Sequence, residues 1–305
     1  MKTRVATALP LMAIVLAILF LGSNLLIGAI SIVLFAATYG EARSLFRKIR
    51  FNQEGTRAME PSDEKLSHQL KVERGFLIGL AICLLAILFL IPRAFIALHW
   101  RPFLTLFGLL SASSFLFIAI RFIRIALRSS SNGNDFTRKH ARWAEWLVGW
   151  NMALAMGLFA IYHALPFRGM ANHATNSLLV LLVSVWAGDI AGILIGNKWG
   201  KRKMAPLISP GKTWEGAWGN FAFASIVGVV LGPLVGLGIF GGLLAGALAG
   251  TIGQIGDLTE SAMKRLAGEK DSGKALPGHG GFYDRLDSLI AASSFFWIPL
   301  VLFLR

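Results

Sequence analysis

Four aspartates stand within or beside strongly apolar segments of the chain: Asp189, Asp257, Asp284 and Asp287. An ionisable side chain in an apolar span costs roughly 2.5–3.5 kcal/mol or more, so each needs a partner or a polar cavity. Mg²⁺ prefers one or two carboxylates together with phosphate oxygens, and nearby Lys and Arg side chains neutralise the remaining phosphate charge. The aspartates therefore indicate a metal and phosphate site. A structural network of ion pairs is the alternative.

A first motif reads Ser-Pro-Gly-Lys-Thr-Trp-Glu-Gly from Ser209 to Gly216. Ser-Pro-Gly is typical of a turn, and Thr213 is placed to cap the helix that follows it. The backbone N–H groups of the turn, the helix N-terminus and Lys212 together form a candidate phosphate cradle. A capped turn at a membrane interface is the alternative interpretation.

A longer second motif lies between residues 256 and 287. If the preceding helix continues into it, Asp257, Ser261 and Lys264 share one face, because they stand at i, i+4 and i+7. The sequence Pro-Gly-His-Gly-Gly at 277–281 predicts a flexible turn whose amides can approach a phosphate. A solvated salt bridge could explain any one charged pair here. A purely structural role explains poorly why so many charged residues lie within this one segment.

The stretch from Ser261 to Asp287 resembles the signature of the phosphatidate cytidylyltransferases, also called CDP-diacylglycerol synthases. That signature is Ser-x-x-Lys-Arg, four residues, Lys-Asp, then Pro-x-His-Gly-Gly-x-x-Asp-Arg-x-Asp, and every fixed position is present. Asp189 and the first motif also stand in the family's order. The resemblance covers residues 185–290 and extends to the first half only through its apolar segments.

The resemblance implies that the phosphate of phosphatidic acid attacks the α-phosphorus of CTP, giving CDP-diacylglycerol and pyrophosphate. It implies Mg²⁺ as cofactor, with a monovalent cation as an optional second ion. We expect Asp257 and Asp284 to hold the metal. Catalytic roles are expected for these two aspartates and for Lys264, Asp287 and His279. The remaining candidates are expected to bind substrate: Asp189, Ser209, Lys212, Thr213, Glu215, Ser261, Arg265, Lys270, Asp271 and Arg285.

The chain departs from the family's usual pattern just after Asp189. The family has Ala-Tyr three and four residues later and a basic residue after the next glycine, where this chain has Gly192, Ile193 and Asn197. Altered lipid preference would follow if those positions touch substrate. The alternatives are therefore an enzyme for another lipid acid, a CTP-using lipid kinase, and a transporter of anionic substrates. The transporter is disfavoured because the sequence shows no inverted repeat.

The composition indicates which elements must position these residues. Hydrophobic residues make up 55% of the chain and charged residues 15%, against roughly 25% charged in soluble domains. In so apolar a chain the net charge of +14 is typical of membrane topology, and we expect no nucleic-acid partner. The single cysteine, Cys83, excludes an internal disulfide. We predict an all-α integral membrane protein.

Nine apolar segments approach the length of about 20 residues that a spanning helix needs. They predict a polytopic bundle of about nine transmembrane helices at 6–22, 24–40, 76–98, 102–120, 144–165, 176–196, 216–232, 237–256 and 288–304. Under the positive-inside rule the N-terminus is cytoplasmic, because most of the 30 basic residues then fall in inner segments. Those inner segments are 1–5, 41–75, 121–143, 197–215 and 257–287.

This topology places the candidate site at the cytoplasmic face of a membrane, which we expect to be a bacterial inner membrane. The chain then divides into 1–143, with N-terminal transmembrane helices and basic cytoplasmic loops, and 144–305, a C-terminal transmembrane catalytic region. Glycines that repeat every four residues predict close helix packing, either within one chain or between the protomers of a homodimer. They are Gly228, Gly232 and Gly236, then Gly238, Gly242, Gly246 and Gly250.

Overall fold

A computed structural model of the protein describes residues 24–53, 93–128, 138–164, 177–276 and 280–304, together with Val15 and Ala17. These residues are mostly helical. In chain order the elements are α1 (Asn24–Gln53), α2 (Arg93–Arg128), α3 (Arg138–Ala164), α4 (Ser177–Trp199), β1 (Lys203–Ala205), β2 (Ser209–Thr213), α5 (Trp214–Leu231), a 3₁₀ turn (Pro233–Val235), α6 (Gly238–Leu266), α7 (Tyr283–Ser293) and α8 (Trp297–Phe303). The mostly helical fold agrees with the predicted class, and the short pair of strands was not predicted.

Five segments of the described chain are long and apolar enough to cross a membrane. They are Leu26–Ile49, Arg101–Leu127, Ser177–Trp199, Gly238–Leu266 and Tyr283–Phe303. Each overlaps a predicted span, and the last consists of α7 and α8 in succession. Helices α3 and α5 coincide with the predicted spans at 144–165 and 216–232, whose crossing of a membrane stays a prediction. Most of the predicted spans at 6–22 and 76–98 lies outside the described residues.

Two predicted boundaries in the first half are wrong. Helix α1 continues well past residue 40, and it carries Glu41 and several basic residues that were expected in a loop. Helix α2 runs unbroken through 99–101, where a break between two spans was expected, and Pro102 lies inside it. The apolar pattern marks the membrane-buried part of a helix, but Arg, Lys and Glu are also good helix formers, so hydropathy does not locate the ends.

Glycine allows α5 and α6 to approach closely. A Cβ atom on Gly228 would collide with the carbonyl oxygen of Gly242, and one on Gly246 would collide with that of Ala224. The backbones therefore meet without intervening side chains, as small residues permit in membrane helices. This confirms helix packing within one chain as a use of the glycine stripes.

The segment after α4 forms an antiparallel hairpin. Lys203 is opposite Thr213 and Ala205 is opposite Ser209, so Ser209-Pro-Gly belongs to strand β2, not to the turn that was expected. Both strands of a two-stranded sheet are edge strands, and an edge strand accommodates a proline that lacks a backbone donor. Thr213 ends the hairpin and caps α5, as predicted, because its Oγ1 accepts a hydrogen bond from the Gly216 N–H at 3.2 Å.

Buried polar contacts attach the end of α7 to helices α2 and α3. The Tyr162 hydroxyl of α3 donates to the Ser293 carbonyl at 2.6 Å. The Ser111 hydroxyl of α2 donates to Ser294 Oγ at 2.8 Å, and Asn151 Nδ2 donates to the Ser111 carbonyl at 2.9 Å. Satisfied polar groups of this kind fix the register of packed helices. They hold α7, which carries two of the candidate aspartates, in place.

Candidate active site

A cavity of about 990 Å³ lies between α1, α3, α4, α5, α6, α7 and strand β2. Its polar lining includes Asp189, Asn197, Ser209, Lys212, Thr213, Asn220, Gln254, Asp257, Glu260, Lys264, Asp271, Asp284, Arg285, Asp287 and Ser288. Its apolar lining includes Ile27, Ile30, Leu34, Met156, Phe159, Leu178, Leu182 and Trp186. Along α4 the lining changes from apolar to polar between Trp186 and Asp189. The cavity therefore offers one ligand both charged and hydrocarbon surroundings.

Three carboxylates gather on one side of this cavity. Oxygens of Asp257, Glu260 and Asp287 lie within 4.8 Å of one another. Glu260 is only 1% exposed, and its Oε2 forms an ion pair with the Lys264 ammonium at 2.5 Å. Clustered carboxylates repel each other unless a cation lies between them. The group fits a divalent metal ion.

Glu260 was missed in the sequence, although its spacing offered a signal. It follows Asp257 by three residues on α6, so the two side chains share a face of the helix. Asp284, which was expected to hold the metal together with Asp257, is outside this group of three but is linked to it, because the Lys264 ammonium contacts both Glu260 and Asp284. The structure instead groups Asp257 with Glu260 and Asp287.

The Asp284 carboxylate is surrounded by donors. Its Oδ1 accepts from the Lys264 ammonium at 2.7 Å. Its Oδ2 accepts from the backbone N–H groups of Gly281 and Ser272, at 2.8 and 2.9 Å, and lies 2.9 Å from the Ser272 hydroxyl. Asp284 therefore organises the loop between α6 and α7 and orients Lys264.

Asp257 links the two sequence motifs. Its Oδ2 lies 2.7 Å from the Lys212 ammonium of β2, and its Oδ1 accepts from the Ser261 hydroxyl at 3.2 Å. The second contact confirms that Asp257 and Ser261 share a face of α6. Lys212 also donates to the Gln254 carbonyl at 3.4 Å. The hairpin and α6 thus meet at a charged contact on the cavity wall.

Asp189 has the partner that a carboxylate inside a span requires. The Asn220 side-chain amide of α5 donates to its Oδ1 at 3.1 Å, and both residues line the cavity. The three positions at which the chain departs from the family pattern, Gly192, Ile193 and Asn197, line the same cavity. The positions at which this chain differs from the family pattern therefore border the cavity.

Glu215 does not line the described cavity but supports the hairpin. It precedes the predicted seventh span, and its carboxylate accepts from the backbone N–H groups of Lys201 and Arg202 at 3.1 and 3.2 Å. Hydrogen bonds from its own backbone N–H, and from those of Arg202 and Lys201, hold the pKa of this carboxyl below its ordinary value. These contacts give Glu215 a structural role, and the substrate-binding role expected for it stays a prediction.

Arg265 also supports the hairpin. Its Nε donates to the Ile208 carbonyl at 3.1 Å and its Nη1 to the Glu269 carbonyl at 3.2 Å. Arg265 is absent from the described lining of the cavity, and its expected contact with substrate stays a prediction. Lys270 is exposed and, like Ser261, is absent from the described lining of that cavity. His279 lies outside the described residues.

The chain was compared with known protein families. The chain matches the cytidylyltransferase family over residues 2–303. It belongs to the cytidylyltransferase family.

The relatives of this chain include proteins named phosphatidate cytidylyltransferase. A protein of Brucella suis named phosphatidate cytidylyltransferase is 39% identical over 158 residues, which are 50% of this chain and 58% of that protein. A Bacillus subtilis protein of the same name is 35% identical over 153 residues, 50% of this chain and 56% of that protein. An uncharacterised Escherichia coli protein, YnbB, is 44% identical over 154 residues, covering 49% and 50%. The chain spans about half the length of the relatives it matches.

Proposed function

We propose that this chain transfers the cytidylyl group of CTP to phosphatidic acid, giving CDP-diacylglycerol and pyrophosphate. The observation that carries the proposal is the cavity whose charged lining continues into an apolar one along α4. A triphosphate requires cations and metal ligands, whereas the acyl chains of a lipid require apolar volume. Membership of the cytidylyltransferase family and the names of the relatives support the same reaction.

The reaction brings two anions together, so positioning and charge screening must supply most of the rate enhancement. Lys212, Lys264 and Arg285 line the cavity and supply positive charge to the phosphates. Lys264 is oriented by Glu260 and Asp284, and a lysine ammonium has a third N–H to donate. The lipid phosphate is already ionised at neutral pH, so the attack requires no general base. His279 is accordingly proposed to shape the loop.

Asp257, Glu260 and Asp287 are the residues that would hold Mg²⁺, because their carboxylate oxygens lie within 4.8 Å of one another. When bound, Mg²⁺ neutralises phosphate charge and polarises the phosphorus under attack. A monovalent cation stays a proposal for the same carboxylate-rich wall. Asp189 and Asp271 also line the cavity and are proposed to contact substrate or to orient its neighbours.

A direct assay tests the proposed reaction. Purified protein in lipid vesicles that contain phosphatidic acid would be given CTP and Mg²⁺, with pyrophosphate release and the mass of the lipid product as measurements. We expect pyrophosphate and CDP-diacylglycerol in equal amounts. CDP release with a phosphorylated lipid would identify a lipid kinase instead, and the absence of CTP turnover with every lipid acid would favour a transporter. Several lipid acids should be compared, because Gly192, Ile193 and Asn197 adjoin the ligand space.

We also propose nine spans with a cytoplasmic N-terminus, which places the site at the cytoplasmic face of a bacterial inner membrane. Lys270 and Lys274 support a test, because both are exposed in the loop beside the site. Each would be replaced by cysteine in a Cys83→Ser background and treated with a membrane-impermeant thiol reagent. Intact cells should protect both positions, and permeabilised cells should not. Labelling from outside would overturn the topology.

The homodimer stays a prediction. Light scattering of the purified protein would measure the oligomeric state.

A further inference from the structure

Glu41 of α1 contacts the loop that carries the site residues, although it is not part of the described cavity lining. We define the catalytic loop as residues 267–282, between α6 and α7. The Glu41 Oε1 accepts from the Phe282 N–H at 3.0 Å. Its Oε2 accepts from the Tyr283 N–H at 2.8 Å and from the Ser272 hydroxyl at 2.9 Å. One carboxylate thus joins two separate parts of the loop.

Two glycines make room for this carboxylate. A Cβ atom on Gly273 would lie 2.6 Å from Glu41 Oε1, and one on Gly281 would collide with Glu41 Oε2. Real Cβ atoms do not approach oxygen so closely, so larger residues at either position would displace Glu41. The loop is therefore shaped around the Glu41 side chain.

The same contacts reach the aspartates of α7. The first N–H groups of a helix have no partner within the helix, and a negative charge beside them is favourable. Phe282, at the N-cap position of α7, provides no side-chain cap, and Glu41 accepts its N–H and that of Tyr283 instead. The Ser272 hydroxyl lies 2.9 Å from both Glu41 Oε2 and Asp284 Oδ2. Its single hydrogen can be donated to one of them at a time, which couples Glu41 to Asp284.

A second contact from the same helix face reaches the start of the loop. Lys48 follows Glu41 by seven residues, two helical turns along α1. Its ammonium lies 2.6 Å from the Glu269 carboxylate, with both side chains partly exposed. An exposed ion pair of this kind contributes at most about 1 kcal/mol. Glu41, which is half-buried and bonded to backbone donors, is the stronger connection.

We propose that Glu41 is a positioning residue that sets the placement of Asp284 and Asp287 by capping α7 and tying the catalytic loop through Ser272. Its effect on turnover rests on the proposed function. Its effect on the order of the loop does not depend on that function, so an experiment can contradict the proposed function without contradicting the role of Glu41.

The test compares Glu41→Gln with Glu145→Gln in the full-length protein in lipid nanodiscs. Glutamine keeps the shape of the side chain but replaces one acceptor oxygen with a donor, so it cannot satisfy all three donors that Glu41 now satisfies. Glu145 is a buried carboxylate of the neighbouring α3 that pairs with Arg43, so it controls for the loss of a buried charge. Ser272→Ala, which removes only the hydroxyl, is a milder second variant.

Amide hydrogen exchange measures the loop without substrate. Exchange in peptides that contain Phe282 and Tyr283 should become about tenfold faster or more in Glu41→Gln and stay near wild type in Glu145→Gln. In the CTP assay the kcat of Glu41→Gln should fall about tenfold or more, whereas the KM for CTP should change less than about threefold, because Glu41 does not line the described cavity. The double variant Glu41→Gln, Ser272→Ala should lose less activity than the sum of the losses, in free energy, of the two single variants.

Two outcomes would overturn the proposal, and a third would separate it from the proposed function. Wild-type exchange at Phe282 and Tyr283 in a folded Glu41→Gln protein would show that the cap does not order the loop. Faster exchange spread equally over all helices would show general destabilisation rather than positioning. Faster local exchange in a protein whose wild type does not turn over CTP would support the positioning role and overturn the proposed function.

Discussion

The Lys212 ammonium lies 2.7 Å from the Asp257 carboxylate, so strand β2 and helix α6 meet at a charged contact. The Lys212 side chain is 20% exposed and that of Asp257 is 39% exposed, so water and ligands can reach both. This contact turns two motifs that are separate in the sequence into one site. Under the proposed function, a phosphate in the cavity would contact Lys212 beside the carboxylates of α6.

Lys212→Met should lower kcat/KM for CTP about a hundredfold or more, because the variant keeps the length of the side chain and removes the charge that screens the phosphates. Lys212→Arg should retain part of the activity, since it keeps the charge. The measurement is CTP turnover at saturating lipid. Equal activity of Lys212→Met and wild type would mean that Lys212 serves only to hold the hairpin against Asp257.

Glu260→Gln and Asp287→Asn should each lower turnover by about two orders of magnitude and raise the Mg²⁺ concentration required for half activity. Each change keeps the shape of the side chain and removes one charge from the carboxylate cluster. Spectroscopic titration with Mn²⁺ would measure metal binding independently of turnover, and Glu145→Gln is the matched control. Full metal binding by both variants would place the ion elsewhere, with Asp284 and Asp271 examined next.

Lys264→Met should be far more damaging than Arg265→Met, although the residues are adjacent. The Lys264 side chain is 12% exposed and pairs with Glu260 and Asp284, and breaking a buried pair typically costs about 3–5 kcal/mol. Arg265 bonds carbonyl groups of the hairpin and of the loop. We expect Arg265→Met to retain turnover within about tenfold. Thermal unfolding and CTP turnover measure both effects, and the reverse ranking would contradict these roles.

Glu215→Gln should make the protein less stable near neutral pH but not in acid. The pKa of Glu215 is lowered in the folded state from an ordinary value of 4.5 by backbone N–H donors. A lowered pKa stabilises the fold above the unfolded pKa, and the contribution is lost as pH falls through the folded pKa. The difference in unfolding temperature between wild type and Glu215→Gln should therefore be largest above about pH 5 and disappear in stronger acid. A difference independent of pH would contradict the charged interaction.

The sequence alone predicted the contacts that depend on the spacing of residues along one helix. The contact of Ser261 with Asp257 follows from their i, i+4 spacing, and the Thr213 cap follows from a threonine three residues before a glycine N–H on α5. The apolar segments also located the helices that were described. Local periodicity determines each of these features, so no knowledge of distant contacts was needed.

Features that depend on distant contacts could not be predicted. Glu41 lies among basic residues, where a glutamate is ordinarily solvated, and its partners are backbone N–H groups near the other end of the chain, which carry no side-chain signal. The contacts of Asp284 with the Lys264 ammonium and with the backbone of Ser272 depend on how the catalytic loop folds. The hairpin was missed because Ser-Pro-Gly favours a turn when its partner strand is unknown.

The lining of the cavity changes from apolar to polar along α4, so one end of the cavity suits ligands from the lipid bilayer and the other suits ligands from water. Under the proposed reaction, CTP and pyrophosphate are soluble only in water, whereas both lipids remain in the bilayer plane. Substrates would therefore converge on the carboxylates from two directions, and the products would part along the same two routes. Neither product would have to pass the other, so release of the ionic product and lateral escape of the nucleotide-bearing lipid could proceed in either order.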